Sequence, residues 1–283
     1  MRIFVLIVLF GIFVPASSVS TYSPSELPVN AKTLSMLNLG VASDYNNWLN
    51  PASVEYNNEE LLEFSQNSWI YDDVLGINIS YHSPGQALLY HQWKIDDIQL
   101  YEDVPSNIPS GSFSSQNLFL HYSKSFKIKS LALGFNIGAM YQSLFNWEDK
   151  GLKFDFGFQK PIGDNYKLGF AVQNLYSQNR NSDRLPKLIV IGVKQKINNL
   201  PIIIYFDLFE HENNGLGSFQ AIKLASKNLN LIFGAKYLKD FEKTDFSLGM
   251  NLRFEKIQFS ISTLFLENSS FKSPMSYQIS YFF

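Results

Sequence analysis

Along most of the chain, apolar and polar residues alternate one for one, the pattern of strands whose two faces meet different surroundings. In 245–254, DFSLGMNLRF, one face carries Phe246, Leu248, Met250, Leu252 and Phe254, and the other Asp245, Ser247, Gly249, Asn251 and Arg253. Residues 130–141, SLALGFNIGAMY, repeat the pattern: Leu131, Leu133, Phe135, Ile137, Ala139 and Tyr141 stand against Ala132, Gly134, Asn136, Gly138 and Met140. In 153–159, KFDFGFQ, phenylalanines alternate with Lys153, Asp155, Gly157 and Gln159. A soluble sandwich also alternates, because its outer face is wet. Two features favour a membrane barrel instead. The segments run to about ten residues, enough for a tilted strand to cross a bilayer, against about five or six in soluble sheets. The polar face is often Gly, Ser, Asn or Ala, which a lumen accommodates.

The alternation predicts strands near 60–69, 73–82, 85–93, 114–124, 128–145, 151–160, 166–176, 186–197, 201–210, 217–226, 229–239, 244–254, 257–266 and 274–283. That makes about fourteen, an even count as in bacterial barrels. Short connections at 83–84, 125–127, 198–200, 227–228 and 255–256 alternate with longer ones at 94–113, 177–185, 211–216, 240–243 and 267–273; the turn at 161–165 fits least well. Short periplasmic turns and long outer loops are the rule for outer-membrane barrels. The expected fold is therefore all-β: a transmembrane, antiparallel, up-and-down barrel. The last strand, MSYQISYFF, sets Met275, Tyr277, Ile279, Tyr281 and Phe283 against Ser276, Gln278 and Ser280. Tyr277, Ile279, Tyr281 and Phe283 look like the C-terminal signature by which the bacterial barrel-assembly machinery recognises its clients.

Residues 1–20 read as a signal peptide. Arg2 is followed by the apolar run 3–14 and by Pro15, Ala16, Ser17 and Ser18, with cleavage after Ser18 or Ser20. The run is too short to cross a bilayer, which takes about 20 residues. Residues 21–58, with Pro24, Pro28, Pro51 and many Asn and Ser, read as a periplasmic or lumen-filling plug, and 59–283 as the barrel. The expected location is the bacterial outer membrane, with its lipid and the assembly machinery as partners.

Composition narrows the chemistry. No cysteine is present, which excludes disulfides, thiolate metal sites, a thiol nucleophile and a lipoprotein anchor. Lys plus Arg is 23 and Asp plus Glu 25, so no basic excess points to nucleic acid. Charged residues are 17% and aromatics 16%, which suits a lipid-facing surface. His82, His91, His121 and His211 lie at no metal spacing, and neither a zinc-protease motif nor a nucleophile elbow occurs. No enzyme, no metal and no cofactor is expected. His82 and His121 should face water or the lumen, and His211 with Glu212 an outer loop. Asp72 with Asp73 and Asp96 with Asp97 could offer oxygen ligands to calcium, but without EF-hand spacing they read as solvated loop ends. Trp48, Trp69, Trp93 and Trp147 are expected at the barrel rims, and Lys236, Arg253, Asp155 and Asp245 in the lumen.

Residues 27–54, LPVNAKTLSMLNLGVASDYNNWLNPASV, resemble the opening of the PorV/PorQ family, itself related in shape to the FadL channel. The matching residues are Leu39, Gly40, Val41, Ala42, Asp44, Asn50, Pro51 and Ala52. Leu37 and Asn38 stand where that family has Gly-Gly or Gly-Asp, and the gap before Asn50 is short. The resemblance continues through Pro109, Gly111 and Phe113, Asp155 and Gly157, GFAVQNL at 169–175 and LPKLIVIGV at 185–193. From the residues alone, Asn50-Pro51-Ala52 reads as a chain reversal between plug and first strand. The resemblance implies a non-catalytic component of type IX secretion. Such a protein binds or anchors secreted proteins with C-terminal sorting domains, among other secretion subunits, through loops 94–113, 177–185 and 267–273. The alternative is a FadL-like channel for hydrophobic small molecules.

Overall fold

The computed structural model describes residues 27–69, 71–101, 108–179, 184–240, 242–265 and 273–283. The expected signal segment 1–20 lies outside them. Fourteen strands close into one antiparallel barrel. They are β1 (Leu61–Trp69), β2 (Tyr71–Ser83), β3 (Gln86–Leu100), β4 (Gly111–Ile128), β5 (Leu131–Leu144), β6 (Trp147–Ile162) and β7 (Tyr166–Asn179), then β8 (Leu188–Lys196), β9 (Ile202–His211), β10 (Gly215–Ala225), β11 (Leu229–Leu238), β12 (Lys243–Phe254), β13 (Ile257–Phe265) and β14 (Met275–Phe282). Each pairs with its sequence neighbours, and β14 closes the ring on β1, with Leu61 opposite Phe282 and Ser68 opposite Met275. Closure satisfies the backbone of every strand inside the ring, which a hydrocarbon surrounding demands.

The alternation resolves as the sequence predicts. On β12, Phe246, Met250 and Phe254 point outward and stay exposed, while Asp245, Ser247 and Asn251 are buried inside. Every strand presents at least one large apolar side chain outward, among them Phe64, Ile79, Leu120, Ile191, Phe233 and Ile279. So wide an apolar surface is foreign to a water-soluble monomer and suits a bilayer. This is a transmembrane barrel of the outer-membrane type. Connections at one end (84–85, 129–130, 163–165, 197–201, 226–228 and 255–256) are short, and that end is taken as periplasmic. The longest connections, 101–110, 180–187 and 266–274, lie at the other end, partly outside the described residues.

Two expectations need correction. The outer loop expected over 94–113 is narrower, because β3 and β4 stay paired as far as Leu100 and Gly111. A bulge between Ile95 and Ile98, with Asp97 at φ 53°, shifts the phase of the alternation. A pattern of strict period two therefore ends early there. Asp96 at this bulge pairs with Lys94 and accepts from Ser114, each at 2.8 Å. The side chains of Asp72 and Asp73 lie outside the described set. Second, only Trp147 stands exposed at a rim; Trp48, Trp69 and Trp93 are buried in the lumen. Trp93 shares the strand parity of Leu89 and His91, so pleat geometry turns it inward. Among the described residues no group of three or more His, Asp or Glu could hold a metal.

Candidate functional site: the plugged lumen

Residues 27–56 run inside the barrel. Their one α-helix, α1 (Ala31–Ser35), is a single turn held by a capping box. Thr33 N donates to Asn30 Oδ1 at 2.9 Å, and Asn30 N donates to Thr33 Oγ1 at 3.0 Å. The chain then reverses through Leu37 (φ 51°), Asn38 (φ 61°) and Gly40 (φ 87°). Leu37 and Asn38, the two departures from the resembled family, thus occupy left-handed backbone that glycine enters without cost. Leu37 is nonetheless retained with its side chain packed in the apolar core of the lumen.

The barrel wall holds this segment by its backbone. Asp207 of β9, fully buried, accepts from Gly40 N at 2.6 Å and Val41 N at 2.9 Å. Ser65 Oγ and Asn67 Nδ2 donate to Val29 O at 3.1 and 3.0 Å, and Ser247 Oγ donates to Ser35 O at 2.7 Å. Glu63 accepts from Lys32 Nζ at 2.5 Å and Gln278 Nε2 at 2.7 Å, tying α1 to β1 and β14. Close approach needs wall positions without side chains. A Cβ at Gly134 would collide with the backbone of Pro51 and Ala52, and one at Gly169 would lie 2.5 Å from Val41 O.

Residues far apart in the resemblance converge here. Asn50 caps the 3₁₀ turn Pro51–Tyr56 by accepting from Ala52 N at 3.1 Å. Its Nδ2 donates to Val41 O at 2.8 Å and Phe158 O at 3.1 Å, and its carboxamide fills the space left by Gly157. Pro51 and Ala52 are buried at the start of that turn. Asp155 accepts from Asn174 N at 2.7 Å, and Asn174 Nδ2 donates to Pro186 O at 2.7 Å. Asn174 (φ 53°) sits in a bulge of β7, where the pairing with β6 slips between Phe154 and Phe156. The four residues of the C-terminal pattern, Tyr277, Ile279, Tyr281 and Phe283, do not join this network; they point outward and are exposed.

The expected lumenal charges are all inside and paired. Lys153 lies 3.2 Å from Asp155, Lys243 3.1 Å and Lys236 3.7 Å from Asp245, and Arg253 grips Glu59 through both oxygens at 2.8 Å. His82 meets Glu63 at 3.2 Å; His91 and His121 pack beside the Trp48 ring, with centroids 5.8 and 4.5 Å away. His211 is buried at the outer end of β9. Asp207, Glu63 and Asp44 escaped the sequence reading as anchors. Asp207 did leave a signal: it is the lone acid on the inward parity of IIIYFDLFEH, between Tyr205 and Phe209.

At the periplasmic end of the plug, Asp44 bridges Lys167 of β7 and Lys194 of β8. Burial opposes ionisation of this carboxyl, but the two ammonium groups outweigh it and hold its pKa below the ordinary carboxylate value. A depressed pKa gives stability that is present above the unfolded value near 3.9 and lost as pH falls through the folded one. The latch is therefore expected to hold at pH 5–7 and to release only in stronger acid. Asp44→Asn should loosen residues 40–46 at neutral pH by about 1–3 kcal/mol, between the values of exposed and buried pairs. Hydrogen exchange of that segment against pH checks this; equal protection in both proteins would count against the latch.

On the outer side of the plug lies a cavity of about 80 Å³. Leu34, Leu37, Leu39 and Trp48 of the plug face Trp69, Leu188, Phe209, Leu238 and Leu264 of the wall, with Lys153, Gln173 and Asn174 at its edge. No protein-family model and no curated protein matches the chain. Solved structures do. The CymD monoaromatic hydrocarbon channel superposes with a TM-score of 0.62 at 12% identity, over 91% of this chain and 98% of that one. The barrel fold is FadL-like. The Pseudomonas putida toluene transporter TodX agrees, with a TM-score of 0.58 at 11% identity, over 90% of this chain and 97% of that one. A TodX deltaS2S3 mutant gives 0.65 at 10% identity, over 90% and 98%. At these identities the FadL-like likeness is one of fold. It matches the closed ring of fourteen strands around an N-terminal helical segment.

Proposed function

We propose that this FadL-like barrel is an outer-membrane channel for small hydrophobic molecules and that the cavity above the plug is their entry site. The carrying observation is chemical. On the outer side of the plug, one cavity gathers six leucines, two tryptophans and Phe209, beside polar groups that include Asn38, Lys153, His211 and Lys236. Concave sites with apolar walls and interspersed polar groups are those that take small ligands. At about 80 Å³ it is smaller than the roughly 300–1,000 Å³ of ligand pockets, so it admits only the leading end of a ligand unless the plug shifts. TodX and CymD, by their descriptions, pass toluene and monoaromatic hydrocarbons, so toluene is the apt first probe.

Trp48 and Trp69 line the cavity and make binding visible. Toluene is expected to change the tryptophan fluorescence of the purified barrel saturably. Phe209→Asp, which puts a charge against the ligand, should weaken that binding by about tenfold or more. Cells carrying the unaltered barrel should take up labelled toluene faster than cells carrying the variant. Equal uptake by both, with both folded, would sink the reading.

A role in type IX secretion stands second. What supports it is the order of motifs at 39–52, 109–113, 155–157, 169–175 and 185–193. The loops that would contact a secreted protein lie partly outside the described residues.

A further inference from the structure

Beneath the plug, on the periplasmic side, lies a second cavity of about 350 Å³. This is within the roughly 300–1,000 Å³ of small-molecule sites. Its charged lining is Lys32, Lys223, Lys227, Arg253 and Glu59. Two of the cations are already satisfied: Arg253 by Glu59 through both oxygens, and Lys32 by Glu63 at 2.5 Å. Lys227 lies on the exposed turn after β10, where water solvates it.

Lys223 differs from these. It is 6% exposed, on the inward face of β10, with Ile203 and Ile232 as its cross-strand neighbours. Both isoleucines also line the cavity. Its ammonium rests 4.8 Å from the centre of the Tyr45 ring, and no carboxylate among the described residues forms an ion pair with it. Tyr45 reaches down from the plug with half its surface open, and Lys32 lies 5.8 Å from the same ring. A buried ammonium ordinarily takes an anionic partner, because burial without one is costly. An aromatic face is a weaker substitute for a charge-assisted hydrogen bond.

We propose that this cavity binds a small organic carboxylate, with Lys223 taking the carboxylate and Ile203, Ile232 and the Tyr45 ring packing its apolar body. The apolar patch that Ile203, Ile232 and the Tyr45 ring form beside Lys223 selects against a fully hydrated anion such as phosphate, which would set polar oxygens against it. The site opens to the periplasm and is separated by the plug from the outer cavity, so it does not depend on the channel reading.

Benzoate is the probe, titrated calorimetrically into the purified, folded, full-length barrel at low ionic strength. Saturable binding is expected. Lys223→Met, which keeps the aliphatic stem, should weaken it by about tenfold or more. Lys256→Met, at an exposed periplasmic turn outside the cavity lining, should leave it within about twofold. Benzamide, the neutral isostere, and inorganic phosphate should each bind more weakly than benzoate. In the unaltered protein with ¹³C-dimethylated lysines, benzoate should move the resonance of the ammonium beside Tyr45, a readout that needs no variant to fold. The proposal is overturned if benzoate does not saturate, if Lys223→Met binds it equally well, if that resonance stays fixed, or if phosphate or benzamide binds as tightly.

Discussion

Deleting residues 27–58 is expected to turn the barrel into an open pore. The plug lies between the outer cavity and the inner one. Leu34, Leu37 and Leu39 form the floor of the outer one, while Lys32, Met36 and Tyr45 form the roof of the inner one. No strand depends on the plug for its backbone partners, because the ring closes through β1 and β14. What the deletion uncovers is a mixed wall: Ser, Asn, Asp and Lys that water can solvate, and the apolar side chains, such as Trp93, Phe119 and Phe219, that packed around the plug. Barrels only slightly larger, with 16–18 strands, hold an aqueous channel. Single-channel conductance in a planar bilayer should therefore rise by about tenfold or more over the full chain. A conductance unchanged by the deletion would mean that the plug does not control the lumen.

The second large effect is expected at Asp207. Its carboxylate is the acceptor for two successive plug amides, those of Gly40 and Val41. The wall makes room for it at Gly192, where a Cβ would collide with its Oδ1. Asp207→Ala would strand both donors in a dry interior. At about 1–3 kcal/mol for each unsatisfied group, the seated plug should lose about 2–6 kcal/mol. The change is local to the plug, so the barrel should still fold and migrate as a heat-modifiable band. Protease should cut within 38–46 in the variant and spare that stretch in the parent. Asp207→Asn keeps one acceptor oxygen without the charge and should fall between the two. If Asp207→Ala left the segment as protected as before, the anchoring role would be wrong.

Much of this protein is legible in one dimension. Period-two alternation, strand length and the rhythm of short and long connections are local properties. A strand in a closed ring must turn one parity to lipid and the other to the lumen. The strand count, the ring, the lipid-facing Phe246 and Phe254 and the inward Asp155, Asp245, Lys236 and Arg253 follow from that constraint. Where the local rule breaks, legibility fails with it. At Asp97 a bulge resets the phase and hides the upper part of β3 and β4. For Trp69 and Trp93 the preference of tryptophan for headgroups is overridden by parity and by the apolar core around the plug.

The alternation alone thus determined the fold and which side chains face inward. Parity, however, carries no information on height or on position around the ring. That Asp207 meets Gly40 across 167 positions, or that Asn50 fills the gap at Gly157, depends on closing the ring and threading the plug through it. So does the division of the lumen into a leucine-lined cavity above and a lysine-lined one below. Those contacts are long-range, each weak on its own, and they exist only once all fourteen strands are in register.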